Sequence, residues 1–178
     1  MKKLITVTGL LLLLGSMATG QEKLKHAVDL YRAGNYSDAV AELEKFGAGG
    51  HGTHQSLLYL GAAYQHLGDK TKARDGFKRA QLLAAVANID GETPLKITAK
   101  PKPDARQVPG TYRNGSATIA VEFKSDGTLG FVFLVKGNPD EFTQACIDAA
   151  KGITFEPSTA GGKPVTVIKL VEYSLDRY

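Results

Sequence analysis

The chain changes its pattern of apolar and polar positions twice. Lys2 and Lys3 precede a largely apolar run from Leu4 to Leu14, followed by the small residues Ala18, Thr19 and Gly20. From there to about residue 88 the apolar positions recur at helical spacing, and they predict helices near 22–33, 36–46, 55–67 and 70–88. Beyond Thr93 the pattern becomes extended and proline-punctuated in TPLKITAKPKPD, and SATIAVEF and TLGFVFLV read as strands joined at the Asp126-Gly127 turn signal. Asn138-Pro139-Asp140-Glu141 supplies a cap, a proline at a first helical position and first-turn acids, predicting a helix to about Lys151. ITFEP, a Gly161-Gly162 turn and a last strand KPVTVIKLVEYSL complete the order.

The helical half repeats itself. Ala27 matches Gly61, Leu30 matches Tyr64, Gly34 matches Gly68, Ala39 matches Ala73, Leu43 matches Phe77 and Phe46 matches Ala80, all at an offset of 34 residues. Small residues at Ala27 and Gly61 let paired helices approach, Gly34 and Gly68 suit the left-handed end of a helix, and Asn35 and Asp69 offer N-cap oxygens. This period and these residue types resemble the tetratricopeptide repeat. The resemblance implies two helical hairpins over 21–88 whose inner face, at Tyr31, Arg32, Gln65 and His66, holds an extended segment of a partner. Two repeats are few, so the end of the last helix, with Leu82, Leu83, Val86 and Ile89, reads as a cap or a docking surface.

The second half resembles the C-terminal domain of the TonB family over roughly 85 residues. The opening strand-proline stretch, the SDGTL turn, the FEP after the helix and the GGKPVTV entry to the final strand carry that likeness. It implies a small antiparallel sheet with a helix on one face, and binding by strand addition at the last strand. The expected fold class is therefore α+β, with a linker and entry strand over 89–108 and the TonB-like domain over 109–178. The partner-strand residues are then Val165, Val167, Ile168, Lys169, Leu170, Val171 and Tyr173. Because Val167, Ile168, Leu170 and Val171 make both faces of that strand apolar, it reads either as sandwiched between the domain's own helix and the repeats or as an interaction surface.

Charge narrows the partners. The chain carries 22 basic and 18 acidic residues, a net charge of +4, and two of the lysines lie in the leader. Acids and bases are interspersed, with no basic patch of the kind phosphate neutralisation requires, so nucleic acid is rejected as a partner. The apolar run, at about 15 residues, falls short of the about 20 a spanning helix needs, so 1–20 reads as a cleaved signal peptide and the body as periplasmic. The alternative is an uncleaved anchor in the inner membrane facing the periplasm. One cysteine, Cys146, excludes an intramolecular disulfide.

Catalytic and metal chemistry find no residue set. GAGGHGT at Gly47 to Thr53 lacks the lysine of a phosphate loop and follows no strand. His51, His54 and His66 lack a carboxylate or thiol at ligand spacing for zinc. Cys146 reads as a small buried hydrophobe, and neither a Gly-x-Ser-x-Gly elbow nor an H-E-x-x-H helix occurs. The expectation is a non-enzymatic periplasmic adaptor without cofactor or metal. It binds a protein or peptide, in the TonB reading a segment of an outer-membrane receptor. The second expectation is an anchored, short-spacer TonB-type component of receptor-dependent transport.

Overall fold

The computed structural model describes residues 8–83, 89, 91–109, 114–138 and 140–176; the side chains of 8–19, 105, 175 and 176 lie outside the description. Four helices come first: α1 (Thr8–Arg32), α2 (Tyr36–Phe46), α3 (His54–His66) and α4 (Lys70–Leu82). β1 (Lys96–Ala99), β2 (Asn114–Phe123) and β3 (Leu129–Lys136) lead to α5 (Glu141–Lys151), and β4 (Thr154–Glu156), β5 (Ser158–Ala160), β6 (Lys163–Val165) and β7 (Val167–Asp176) follow. The fold is mixed α+β, a helical region and then a small antiparallel sheet with a helix packed on it.

The two helical pairs end alike for a backbone reason. Gly34 and Gly68 adopt φ of 81° and 83°. The Asn35 and Asp69 amides reach back to the carbonyls of Leu30 and Tyr64, while Gly34 and Gly68 bond Tyr31 and Gln65. This is the paired-bond ending that a left-handed glycine permits. Within the second pair, a Cβ on Gly61 would stand 2.8 Å from the Phe77 ring, and one on Gly76 would stand 3.0 Å from the Gly61 backbone. The backbones of α3 and α4 therefore touch, and no larger residue fits without separating them.

Several expected boundaries move. α1 is unbroken from Thr8 through Gly20, so the helix expected from residue 22 begins within the N-terminal apolar run. No helix among the described residues is long and apolar enough to cross a membrane. Asn35 makes no side-chain cap bond, whereas the Asp69 side chain accepts from the Lys72 amide. α3 instead begins with a reciprocal cap in which Thr53 Oγ1 accepts from the Ser56 amide and Ser56 Oγ accepts from the Thr53 amide. α4 ends at Leu82 rather than 88; residues 84–88, including Val86, lie outside the description. The cap of α5 is Asp140, accepting from the Thr143 amide, not Asn138, and position 139 is outside the description. The expected single last strand is broken at Thr166 into β6 and β7.

The central sheet is antiparallel in the order β3-β2-β7. β2 alternates its side chains between two apolar layers. Ala117, Ile119, Val121 and Phe123 pack with α5 residues Phe142, Ala145, Cys146, Ala149 and Ala150. On the opposite face Ala120, Phe133, Val135 and Ile168 join one continuous core with Val28, Tyr31, Leu58, Tyr59 and Phe77 of the helices. The sheet therefore lies between the helical hairpins and α5, and the helical and sheet segments share a core. β1 pairs with β4, and β5 with β6 through the Gly161-Gly162 turn, as small antiparallel ribbons beside it.

Candidate strand-binding edge and the helix–sheet junction

Three of the four residues expected on an open helical face, Tyr31, Arg32 and His66, meet the sheet segment instead. Tyr31 Oη of α1 donates to Glu122 Oε1 of β2 at 2.6 Å, and His66 Nε2 of α3 lies 3.1 Å from the same oxygen. Tyr36 stacks on the His66 ring with centroids 4.1 Å apart. Burial, then the Glu122 charge, pushes the Tyr31 hydroxyl far above the usual tyrosine range. The Glu122 side chain is 5 % exposed and its Oε2 has no partner among the described residues. That oxygen sits where a Cβ on Gly130 would be, 1.9 Å away, so the neighbouring strand needs glycine there.

Arg32 closes a second cluster. Its Nε donates to the Thr166 carbonyl at 3.0 Å, and its Nη2 donates to Tyr59 Oη at 3.1 Å and to Glu92 at 2.8 Å. Tyr59 Oη donates to the same Thr166 carbonyl at 3.1 Å. Gln65 has a buried Oε1 without a partner among the described residues. The face formed by Tyr31, Arg32 and His66 is thus occupied by the chain's own sheet. A concavity of about 480 Å³ lies elsewhere on the helical layer, between α2 and α4 over Leu57 and Leu60.

β7 is an edge. Its ten residues pair with β2 in unbroken register from Val167↔Phe123 to Asp176↔Asn114, and among the described residues no strand pairs with its other side. Ile168 and Leu170 turn toward the helices, while Val167, Val171 and Tyr173 turn toward α5. The sandwiched reading of its two apolar faces therefore holds for the side chains, and the outward side of the strand is covered at Ile168, which is buried, and half-buried at Leu170. Val165 does not belong to this edge, because it lies in β6, paired with Ser158.

Two carbonyls fix which backbone groups point outward. Lys100 Nζ donates to the Glu172 carbonyl at 2.6 Å, and Arg32 and Tyr59 occupy the Thr166 carbonyl. In an antiparallel strand, successive residues turn their N–H and C=O to alternate sides. Ile168 and Leu170 share the parity of Thr166 and Glu172 and point away from β2; Lys169 and Val171 point into the ladder. Beside the outward groups runs a groove of about 270 Å³ lined by Leu95, Ile97, Lys100, Lys169, Leu170 and Val171. Burial lowers the Lys169 ammonium below the usual lysine value, against the pull of Glu92.

Sequence reasoning missed Glu122, Glu92, Lys100 and Thr166. Glu122 carried a signal, a lone acid within the apolar run of SATIAVEF on the face opposite Val121 and Phe123. The remaining chemistry is sparse. His54 Nδ1 is held at 2.8 Å from the Ala80 carbonyl, and no group of three or more metal-ligating side chains occurs among the described residues. Burial, then Asp140, pushes the Cys146 thiol up to about 11. Compared with models of known protein families and with curated proteins, the chain matches none.

Proposed function

We propose that the protein is a non-enzymatic, exported interaction adaptor that recruits an extended segment of a partner protein to the free edge of β7. The observation that carries this reading is that, among the described residues, no strand pairs with the outward side of β7, whose ten-residue register with β2 is unbroken. Strand addition draws affinity from backbone hydrogen bonds, and the adjoining groove offers selectivity for a side chain. The TonB-like residue order of the second half and the 34-residue repeat of the first support the same class of work, with the helical hairpins backing the sheet through Tyr31 and Arg32. The apolar leader supports export and a periplasmic site of action.

A photoreactive residue at Ile97, which is 40 % exposed beside the edge, tests this in cells. It should trap a partner protein, Leu170→Ala should retain the trapping, and Leu170→Pro should lose it in a protein still folded by circular dichroism. A proline there removes no ladder bond, because the Leu170 N–H points outward. Trapping that survives Leu170→Pro contradicts the reading.

The anchored alternative, a short-spacer TonB-type component of receptor-dependent transport, is favoured by one observation, the unbroken run of α1 through Gly20. N-terminal sequencing of the exported protein separates the two, since cleavage leaves Gln21 first.

A further inference from the structure

We infer that the outward face of α4 is a membrane-contact surface, which seats the protein on a bilayer bearing anionic lipid headgroups, with Leu82 entering the interface. This surface belongs to the helical layer and is separate from β7.

The linear sequence intersperses its charges, but the fold gathers the imbalance on one helix. α4 holds Lys70, Lys72, Arg74, Lys78 and Arg79 against a single acid, Asp75. Its net charge of +4 equals that of the whole chain, so the remaining 17 bases face 17 acids. Ala73, Gly76, Phe77 and Ala80 turn into the core, which leaves the charged residues on the outer side of the helix. Arg79 meets Asp75 at 3.6 Å, with both side chains more than half exposed. The other four bases form no ion pair among the described residues. On the flanks, the Lys72 ammonium and the Arg74 guanidinium lie 4.9 and 5.6 Å from the centres of the Tyr64 and Phe133 rings, which keeps both cations beside the helix.

An acidic partner of any kind would answer those charges; the exposed leucines select a bilayer. Leu82 lies one turn beyond Lys78, on the outward line that also carries Thr71 and Asp75, and it is 85 % exposed. Leu83 follows it, and Leu67 stands in the turn that enters α4; both are exposed. Three of the four exposed large apolar side chains among the described residues therefore bracket the basic helix. At a bilayer surface, headgroup phosphates take the cations and the acyl boundary takes a leucine beside them. Each base near an anionic surface is worth about 5-fold in affinity, and the attraction fades beyond about 10 Å at moderate salt, so the attachment is reversible and salt-sensitive.

Vesicles of phosphatidylcholine, with and without phosphatidylglycerol, provide the probe, and an environment-sensitive dye on the full chain reads the contact. The dye is attached at Leu82→Cys or, on the opposite layer, at Gln144→Cys, an exposed position of α5; the native Cys146 is buried and stays unlabelled in the folded protein. At Leu82 the emission should shift to the blue on vesicles containing phosphatidylglycerol and not on phosphatidylcholine alone, while at Gln144 it should stay unshifted on both. Arg74→Gln combined with Lys78→Gln, checked for folding by circular dichroism, should raise the lipid concentration needed for the half-maximal shift by about 10- to 30-fold. All these variants carry the same N-terminal apolar run, so its own lipid affinity is common to them. A dye at Leu82 that shifts no more than one at Gln144, or a shift that ignores the two neutralised bases, overturns the membrane contact. Vesicle binding that depends on those bases while the Leu82 dye stays wet assigns the face to an acidic macromolecule, and overturns it as well.

Discussion

Tyr31 of α1 and Glu122 of β2, 91 residues apart in sequence, share a buried hydrogen bond of 2.6 Å that ties the helical layer to the sheet. A carboxylate buried in an apolar layer is costly unless it is paired, and among the described residues its side-chain partners, Tyr31 and His66, come from the helices. Tyr31→Phe should therefore lower the unfolding free energy by about 1 to 3 kcal/mol, the cost of removing the hydroxyl donor from a buried carboxylate that then keeps only His66. Urea denaturation followed by circular dichroism and by tyrosine fluorescence should show one coincident transition before and after the substitution, because both segments share a core. Two separated transitions in the unaltered protein contradict that shared core.

The contact between α3 and α4 gives a second expectation. Gly61→Ala places a methyl 2.8 Å from Phe77 and 3.0 Å from the Ala73 carbonyl, and Gly76→Ala places one against Gly61 itself. Each should cost about 1 to 3 kcal/mol by overpacking, more than any gain in helix propensity returns. Their double variant should depart from additivity, since one separation of the helices relieves both clashes. Urea midpoints of the two single variants and the double variant measure this, and unchanged midpoints contradict the close approach.

Alkaline pH should weaken the fold through the layer beneath α5. Burial raises the Cys146 thiol from 9.0 to about 11, and burial, then Cys146, raises the Tyr173 hydroxyl from 10.0 to about 12. A group whose folded value is raised contributes stability that is complete below its unfolded value and lost as pH rises toward the folded one. Stability should thus hold to about pH 9 and fall between about pH 9 and 12, with Cys146→Ala removing the earlier part of the fall. Thermal melts across that range measure it. At pH 8 Cys146 should resist alkylation until the protein is unfolded, since the thiolate is the reactive form.

Local features were legible in the sequence where one residue type decides the backbone. Gly34 and Gly68 marked the helix ends, Asp126-Gly127 the hairpin and Gly161-Gly162 the last turn, because each needs a conformation that side chains resist. The apolar doublets Val167-Ile168 and Leu170-Val171 signalled burial on two faces. The identity of the covering layer did not follow from them, because packing partners far apart in sequence leave no periodic trace. For the same reason Tyr31, Arg32 and His66 looked like an exposed helical face until Glu122 and Thr166 were seen against them. The break at Thr166 was hidden by an extended pattern that ran through it, and the Thr53-Ser56 cap lacked the acid that usually marks such a motif.

Amide hydrogen exchange along β7 tests the free edge most directly. The N–H groups of Lys169 and Val171 point into the ladder with β2, and those of Ile168 and Leu170 point away from it. In the unliganded protein, the half-buried Leu170 should exchange rapidly while Lys169 and Val171 are protected by the ladder. Strong protection of Leu170 as well would mean that the edge is already covered, and would contradict the account.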